Sequence, residues 1–305
     1  MNAQAAARLT LCWLALLAVP ASAQTGVSEA APGRLLPVAG SRMHIYCTGA
    51  EAGAGAATVV LQAGLGGNVL DWVYVQPVLA LHHRVCSFDR FGAGWSERTD
   101  RPRSADAMAE ELHLLLAAAG ETGPFMMVGH SLGGLLSLHH AQRYPGEVAA
   151  LVLLDTMHPD QFTRFPEAGV DLPDDPHLVL GRTPVAAAAY GMPPDRQRLA
   201  QELAAQGKAR VFVVREMLGF VSDAHEVRAL PLPRLASRVL VHGNREWDQA
   251  YSDGRMENAW TTMQANLALE MGAPPPTVLR GSGHQIPLDA PQAVVDAVEA
   301  LAPRR

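Results

Sequence analysis

Apolar residues follow two patterns along this chain: short continuous runs and longer stretches with helical spacing. The short runs, bounded by glycine, proline or polar clusters, predict buried strands. They lie at 42–48, 58–62, 84–89, 125–128, 150–154, 239–242 and 276–280. The helical spacing predicts helices at 71–82, 104–119, 132–144, 258–271 and 291–301. Because strands alternate with helices, we expect an α/β fold, a mostly parallel sheet with helices on both faces.

The alternation is interrupted between 157 and 235, where prolines, acidic residues and short helical pieces follow one another. This segment is predicted to be an insertion over one end of the sheet. The core domain is then formed by 35–156 and 236–305. Residues 24–34 show no regular pattern and are expected to form a loose stretch before the core.

The first 23 residues have the pattern of a secretory signal peptide. Arg8 precedes an apolar run at 9–19, and Pro20-Ala21-Ser22-Ala23 places small residues at the two positions of an A-x-A cleavage site. A membrane anchor is the alternative interpretation, but the run has about eleven residues and a spanning helix needs about twenty. We therefore expect cleavage after Ala23, a periplasmic or secreted mature protein, and no membrane span in it.

Composition narrows the classes of function. The 305 residues include 24 Lys and Arg against 30 Asp and Glu, a formal net charge of −6, and 49% are hydrophobic. Such a chain is globular rather than disordered. A nucleic-acid partner is not expected, because it would need a basic face. The sequence has no nucleotide or flavin fingerprint and no histidine cluster with metal-site spacing, so we expect no cofactor and no catalytic metal.

Of the three cysteines, one lies in the predicted signal peptide and two lie in the predicted mature protein. Cys12 lies in the predicted signal peptide, so Cys47 and Cys86 remain as an even pair in an oxidising compartment. Both lie in strand-like runs, and we expect a disulfide between them if those strands are neighbours. The alternative is a pair of buried free thiols that pack as small apolar residues.

The motif Gly129-His130-Ser131-Leu132-Gly133 carries the candidate chemistry. It fits the G-x-S-x-G pattern, follows the predicted strand 125–128 and opens the predicted helix 132–144. This is the context of a nucleophile elbow, a turn so tight that glycines must flank the nucleophile. Ser131 is therefore the predicted nucleophile. The alternative is a strand–glycine–helix turn without chemistry.

A serine hydroxyl needs a general base, and in an elbow of this kind an acid and then a histidine follow the serine in the sequence. His284 lies in Gly281-Ser282-Gly283-His284, between the last predicted strand and the last predicted helix. Glycines around a histidine at a strand end form a loop that can reach back over the sheet. His284 is the predicted base.

The acid has three candidates. The preferred one is Glu246, three residues past Gly243 in the loop that follows the predicted strand 239–242. Asp155 ranks second, because it ends the strand after the elbow strand and a carboxylate there can also reach the histidine. Asp248 ranks third. In the alternative interpretations, Asp155 is a structural carboxylate that binds loop amides and Glu246 is a solvated loop charge.

An oxyanion hole requires two convergent backbone N–H groups. Leu132, which follows the nucleophile, is expected to supply one. The glycine-rich turn Gln62-Ala63-Gly64-Leu65-Gly66-Gly67 follows the predicted strand 58–62 and is expected to supply the other, from Leu65. No Lys-Ser/Thr pair follows these glycines, which excludes a phosphate-binding loop.

Three motifs, in this order and spacing, resemble the α/β-hydrolase superfamily and, within it, serine hydrolases of the esterase and lipase type. They are Gly129-His130-Ser131-Leu132-Gly133-Gly134, Asp89-Arg90-Phe91-Gly92-Ala93-Gly94-Trp95-Ser96 and Gly281-Ser282-Gly283-His284. The resemblance covers about 35–301. It implies an eight-stranded sheet whose second strand is antiparallel, with the strand of Cys47 beside that of Cys86. It also implies a helical lid, formed here by 157–235.

The chain departs from the common pattern of this family at two places. It has Gln62-Ala63-Gly64 where many members have His-Gly, and Glu246 where most have Asp. Epoxide hydrolases and haloalkane dehalogenases of this fold attack with an aspartate. The resemblance therefore implies that Ser131 performs acyl transfer rather than epoxide or halide chemistry.

The resemblance implies a carboxylic-ester hydrolase that forms an acyl-enzyme on Ser131 and takes a small uncharged ester. The same machinery serves hydrolysis of C–C bonds, amides or peptides, and perhydrolysis, and these are the alternatives. A binding module of the same fold is remote, because Ser131 and His284 are both present. Apolar residues of the insertion line an acyl pocket or form the insertion's own small core. They are Leu178, Val179, Leu180, Val185, Met192, Phe212, Val213, Met217, Leu218 and Phe220.

Overall fold

The computed structural model describes residues 27–51, 56–170, 191–246 and 253–302. An eight-stranded sheet forms its centre, in the order β1-β2-β4-β3-β5-β6-β7-β8. Its strands are β1 (Arg34–Val38), β2 (Ser41–Thr48), β3 (Thr58–Gln62), β4 (Val85–Asp89), β5 (Phe125–His130), β6 (Val148–Leu154), β7 (Ala236–His242) and β8 (Thr277–Leu279). β2 is antiparallel to β1 and β4, and the other pairs are parallel. The sheet that the resemblance implies is therefore confirmed, including the antiparallel second strand.

Helices cover both faces of the sheet. In the described residues they are α1 (Gln76–Leu79), α2 (Ala105–Ala119), α3 (Leu132–Arg143), α4 (Gln161–Glu167), α5 (Pro194–Ala205), α6 (Gly207–Arg228), α7 (Arg255–Met271), α8 (Ile286–Asp289) and α9 (Pro291–Glu299). None of these helices combines the length and the apolarity that crossing a membrane requires.

The side-chain alternation of the strands divides the core into two layers. On β6, Leu151 and Leu153 point to the layer under α2, α3 and α7, whereas Val152 and Leu154 point to the layer under α1 and α9. Successive side chains of a strand point to opposite faces, so a strand covered on both sides is apolar throughout. This explains why the sequence shows continuous apolar runs rather than alternation.

α2 shows how local sequence signals set a helix's ends. The Ser104 side chain accepts a hydrogen bond from the Ala107 N–H at the start, and Gly120 ends the helix with a left-handed φ of 80°. A serine N-cap satisfies a backbone donor that the first turn leaves open, and glycine adopts positive φ without strain. The structure agrees with the predicted helix 104–119.

Two elements differ from the sequence prediction. The strand β1 was not predicted, and it pairs with β2 at the edge of the sheet. Its run Leu35-Leu36-Pro37-Val38 is apolar but short, and a proline within such a run weakens a strand prediction. The predicted helix 71–82 is a 3-10 turn, Val69–Trp72, followed by the short α1. Pro77 lies in the first turn of α1, where a missing N–H is tolerated.

The segment between β6 and β7 carries α4, α5 and α6, and α6 packs against α2 and α3. Phe212, Val213 and Met217 of α6 are buried with Ala93 in a small apolar cluster, whereas Leu218 is 64% exposed. Ala93 and the partly buried Leu65, which packs against this cluster, belong to the core domain, so the cluster joins α6 to that domain and does not decide between the two interpretations of the apolar residues. The predictions for 1–23, Leu178, Val179, Leu180, Val185 and Asp248 lie outside the described residues.

The two remaining cysteines face each other across the sheet. Cys47 on β2 is the register partner of Cys86 on β4, and their Cα atoms are 4.0 Å apart. Their sulfur atoms form a disulfide. The predicted pairing is therefore present, and the alternative of two free thiols is not.

Candidate active site

Ser131 lies in the turn between β5 and α3 with a backbone φ of 52° and ψ of −121°. A positive φ is rare for a residue with a side chain and costs about 1–3 kcal/mol. The turn also requires glycines. A Cβ on Gly129 would lie 2.5 Å from the Gly133 oxygen, and a Cβ on Gly133 would lie 2.2 Å from the Gln62 oxygen. The turn thus has the backbone of a nucleophile elbow.

Hydrogen bonds hold this strained turn to the neighbouring strand. The Ser131 N–H donates to the Leu154 oxygen at 3.0 Å, and the Met157 N–H donates to the Ser131 oxygen at 3.0 Å. Both partners lie at the end of β6 and just beyond it. The serine therefore stands at the carboxyl edge of the sheet, beside the residue that follows β6.

That residue is Asp155, whose side chain is completely buried and whose φ is 46°. Its Oδ2 accepts from His284 Nδ1 at 2.5 Å and from His242 Nδ1 at 2.6 Å, and its Oδ1 accepts from Trp260 Nε1 at 2.7 Å. Burial alone would raise the pKa of the Asp155 carboxyl, but the hydrogen bonds from the two histidines hold it below its ordinary value. Asp155 is therefore an anion.

His284 lies in the loop between β8 and α8, and hydrogen bonds hold it from two sides. Its Nδ1 contacts Asp155, and its carbonyl oxygen accepts from His130 Nε2 at 2.7 Å. Burial lowers the pKa of His130 to about 3, so this ring is neutral at ordinary pH. His130, which belongs to the elbow motif, thus ties the histidine loop to the elbow, with ring centroids 4.8 Å apart.

The structure reverses the order of the two acid candidates. Glu246, the first choice, accepts from the backbone N–H of His284 at 3.0 Å and does not contact the ring in any described hydrogen bond. It lies four residues beyond the end of β7 and is exposed, so its carboxylate meets the loop from outside. Asp155 follows β6 at once and lies under the ring. Asp155 is therefore the carboxylate that contacts the His284 ring.

A second histidine was not identified from the sequence. His242 ends β7, and its Nε2 contacts Glu257 Oε2 on α7 at 2.8 Å while its Nδ1 binds Asp155. Burial lowers the pKa of His242, but the two carboxylates outweigh burial and raise the pKa to about 9. The Glu246 N–H donates to Glu257 Oε1, which closes a ring of contacts around the site. One signal in the sequence could have identified His242. It ends a predicted strand, which places it at the same edge of the sheet as Asp155.

We expect the charge on His242 to stabilise the fold below neutral pH and to lose that effect in mild alkali. A folded-state pKa of about 9, raised from 6.5, means that the contribution is complete below pH 6.5 and disappears as pH rises to about 9. Urea unfolding of the wild type and of His242→Asn across this interval measures it. The wild type should lose its advantage over the variant as pH rises.

The difference between the two proteins isolates His242 because other groups titrate in both. Burial raises the pKa of Asp71 to about 7 and that of Asp223 to about 8, so both carboxyls titrate in the same interval. The groups that face His242 are Asp155 and Glu257, with His284 on the far side of the shared carboxylate. Parallel stability curves for the two proteins would contradict the assignment of a charged His242.

The two predicted oxyanion donors come from elements that meet at the elbow. Leu132 is the first residue of α3, where an N–H has no acceptor within the helix. The turn that carries Leu65 is closed by a hydrogen bond from the Gly67 N–H to the Gly64 oxygen at 3.2 Å. A Cβ on Gly64 would lie 3.2 Å from the Cβ of Ser131, so this turn touches the elbow.

The cluster of Asp155, His242 and His284 also brings metal-ligating atoms within 4.8 Å of one another. An ionised carboxylate only accepts hydrogen bonds, so both Nδ1 atoms must carry protons. Metal binding would require both nitrogens to release these protons. The contacts fit a hydrogen-bonded cluster, and the absence of a catalytic metal stays a prediction.

A family model described as the alpha/beta hydrolase fold matches residues 57–212, just over half of the chain. Among curated proteins, RutD of Klebsiella pneumoniae (strain 342), whose name proposes a carbamate hydrolase, is 41% identical over 105 residues, 33% of this chain and 38% of RutD. The first curated relatives are matched over only 42% and 28% of their own lengths.

Solved structures align with nearly the whole chain. An esterase from Thermogutta terrifontis is 20% identical, with a TM-score of 0.64, and the match covers 88% of this chain and 96% of the esterase. The epoxide hydrolase CorEH is 19% identical, with a TM-score of 0.61, and the match covers 88% of this chain and 97% of CorEH. At these identities the similarity shows a common fold, and proteins of different chemistry share it.

Proposed function

Since this chain belongs to the alpha/beta hydrolase fold family, we propose that it is a serine hydrolase that cleaves carboxylic esters through an acyl-enzyme on Ser131. The observation that supports this most is the 2.5 Å contact between His284 Nδ1 and the buried Asp155. It lies at the strand edge where Ser131 stands on a turn of positive φ. A nucleophile after β5, a buried acid after β6 and a base after β8 are the parts that acyl transfer needs.

In the proposed reaction, His284 takes the proton of the Ser131 hydroxyl as the oxygen attacks the ester carbonyl. Asp155 holds the Nδ1–H and stabilises the imidazolium that forms. The carbonyl oxygen becomes an oxyanion that the Leu65 and Leu132 N–H groups accommodate. His284 then protonates the leaving alcohol. Water, deprotonated by His284, attacks the acyl-enzyme, releases the acid and restores the Ser131 hydroxyl.

The nucleophile separates this proposal from epoxide chemistry. In the sequence resemblance, epoxide hydrolases of this fold carry aspartate where this chain has Ser131. An oxyanion forms when serine attacks an acyl carbon, and a serine ether formed from an epoxide would resist the hydrolysis that completes turnover. The fold is shared with CorEH, but the residue at the elbow favours acyl substrates.

Carbamates are the second candidate substrates. The 41% identity to RutD over 105 residues supports them, because a carbamate carbonyl passes through the same tetrahedral adduct. We rank esters first, since the nitrogen of a carbamate donates electrons to its carbonyl and makes that carbon a poorer electrophile. With p-nitrophenyl substrates the two classes release the same leaving group and differ in the acyl group, so the same assay distinguishes them.

We expect the purified protein to hydrolyse p-nitrophenyl esters and to react with a fluorophosphonate at Ser131. A series from acetyl to palmitoyl gives the acyl-length preference, and a matched p-nitrophenyl carbamate tests the second class. The Ser131→Ala variant should lose both turnover and labelling, because Ser131 carries the hydroxyl that forms the acyl-enzyme in this proposal. Peptide mapping by mass spectrometry locates the phosphonyl group.

Two outcomes contradict the proposal. A folded wild-type protein that neither hydrolyses any acyl substrate nor reacts with the fluorophosphonate would indicate a non-catalytic module. Equal hydrolysis by wild type and Ser131→Ala would indicate that another group is the nucleophile.

We also propose that residues 1–23 direct export and that the mature protein acts in the periplasm or outside the cell. The Cys47–Cys86 disulfide supports this, because disulfides persist in oxidising compartments. The segment 157–235 is proposed as a cap over the site, a role supported by the contacts of α6 described next.

A further inference from the structure

Arg90 belongs to the motif that begins at Asp89, and its guanidinium contacts both the glycine-rich turn and α6. Its Nη1 donates to the Ala63 oxygen at 2.6 Å and its Nη2 to the Gly64 oxygen at 2.8 Å. From the other side, Glu216 of α6 accepts from Nε at 2.7 Å and from Nη2 at 2.8 Å. Arg90 is 3% exposed and Glu216 is completely buried.

The Gly64 oxygen and the Leu65 N–H belong to the same peptide unit. In a trans peptide these two groups point in opposite directions across a rigid plane. A donor that holds the oxygen therefore also determines the direction of the N–H. Because a Cβ on Gly64 would lie 3.2 Å from the Cβ of Ser131, the plane that Arg90 holds lies beside the nucleophile. A charged donor on the oxygen also polarises the N–H and makes it a better donor.

We propose that Arg90 is a positioning residue that orients the Leu65 N–H toward the oxyanion, and that Glu216 and Phe212 of α6 hold Arg90 in place. This inference rests on the proposed function, since only acyl transfer forms that oxyanion. In this proposal, α6 of the inserted segment contributes to stabilisation of the oxyanion as well as covering the site.

The dependence on α6 follows from the burial of the charges. A guanidinium without water needs an anion, and Glu216 is the carboxylate that chelates Arg90. The Phe212 ring, one helical turn earlier, lies 5.5 Å from the guanidinium carbon. A second buried cation, Arg103, lies 4.0 Å from Glu216 and is paired with Glu111. Neutralising Glu216 therefore removes the carboxylate that pairs with Arg90 and leaves Glu111 as the ion-pair partner of Arg103.

The turn itself does not depend on Arg90. The Gly67 N–H also donates to the Gly64 oxygen, and Gly133 packs on the carbonyls of Gln62 and Ala63. Arg90 makes the shorter and the charged one of the two hydrogen bonds on the Gly64 oxygen, at 2.8 Å against 3.2 Å. Its loss is therefore expected to let the peptide plane tilt, while the Gly67 contact keeps the path of the turn. The reaction is sensitive to that tilt, because oxyanion stabilisation depends on donor direction.

The test compares Glu216→Gln and Arg90→Lys with wild type. Gln keeps the shape and a hydrogen-bond acceptor of Glu216 without its charge. Lys keeps the charge of Arg90 but cannot make the bidentate hydrogen bonds of a guanidinium. For both variants we expect kcat/KM for ester hydrolysis to fall by about 10- to 100-fold, below the loss of a whole oxyanion donor. The inhibition constant of an alkylboronic acid, which forms a tetrahedral adduct on serine, should rise by the same factor. Binding of an uncleavable ether analogue should not change.

The matched control is Glu121→Gln. Glu121 pairs with Arg84 at 2.5 Å and is largely buried, but it lies at the opposite end of the parallel strands from Ser131. Its neutralisation should leave kcat/KM and boronic-acid inhibition unchanged. Phe212→Leu provides a milder change that keeps apolar volume, should the buried-charge variants fail to fold. It should shift both constants in the same direction by a smaller factor.

The outcomes separate this inference from the proposed function. Hydrolysis by wild type together with wild-type constants in the folded variants would overturn the role of Arg90 alone. Loss of activity with unchanged boronic-acid inhibition would overturn it too, since the oxyanion site would then be intact. A wild type that neither hydrolyses esters nor reacts with a fluorophosphonate would overturn the proposed function and this inference with it.

Discussion

Replacement of Asp155 by Asn is expected to lower kcat for ester hydrolysis by about 10⁴-fold, as loss of the buried acid does in other serine triads. In the wild type, Asp155 accepts the Nδ1–H of His284 at 2.5 Å, so Nε2 is the ring nitrogen that can act as the base. An amide can present its NH₂ group to Nδ1 and stabilise the wrong tautomer. It also carries no charge for the imidazolium that forms during attack. Steady-state kinetics on a p-nitrophenyl ester measures the loss.

Glu246→Gln is the matched control for Asp155→Asn. Gln keeps an oxygen for the His284 N–H, so we expect a cost of about 1 kcal/mol or less, roughly fivefold in rate. Because Asp155 also accepts from His242 and Trp260, thermal unfolding must be measured beside activity. A folded Asp155→Asn protein with wild-type kcat, together with a large loss in Glu246→Gln, would restore Glu246 as the acid.

The elbow could be predicted from sequence because its signals are local. The strand, the turn glycines and the helix occupy one continuous stretch of sequence. A side chain in place of Gly129 or Gly133 would collide with backbone atoms of that stretch or of the adjoining turn. The ends of α2 were predictable for the same reason, since Ser104 and Gly120 act on the helix that they bound. Signals of this kind do not depend on which distant residues fold against them.

The choice between Asp155 and Glu246 could not be made from such signals. Both follow parallel strands, and the carboxyl ends of those strands meet at one edge of the sheet. What separates them is burial, since Trp260 from α7 covers Asp155 while Glu246 stays exposed. The contacting residue is more than a hundred positions away from Asp155 in the chain. No sequence pattern near Asp155 predicts the contact with Trp260.

The buried charges show the same limit. Arg90 was noticed as part of a motif, but its partner Glu216 is 126 residues away on α6. A charged residue in an amphipathic helix is ordinarily read as solvent-facing, because isolated buried charges are costly. Pairing removes that cost, and pairing is a property of the tertiary structure. The sequence revealed Ser131 as the nucleophile. It did not reveal the pairing of Arg90 with Glu216, because that pairing exists only in the folded protein.

Loss of the Cys47–Cys86 disulfide is expected to lower the free energy of unfolding by about 4 kcal/mol, the chain-entropy value for a closed loop of about 40 residues. The bond closes the chain across a sequence separation of 39. That loop contains β3 and the turn of Leu65, so the cross-link restricts the unfolded chain around an element of the site. Denaturant unfolding of the oxidised and reduced mature protein measures the difference.

Reduction should leave kcat under native conditions unchanged, because Cys47 and Cys86 lie away from the carboxyl edge where Ser131 stands. This separates a stabilising role from a catalytic one. Thiol titration of the denatured mature protein should find no free thiol before reduction and both after it. Two free thiols before reduction would contradict the bond. An unfolding free energy that does not respond to reduction would mean that the unfolded chain is already restricted without it.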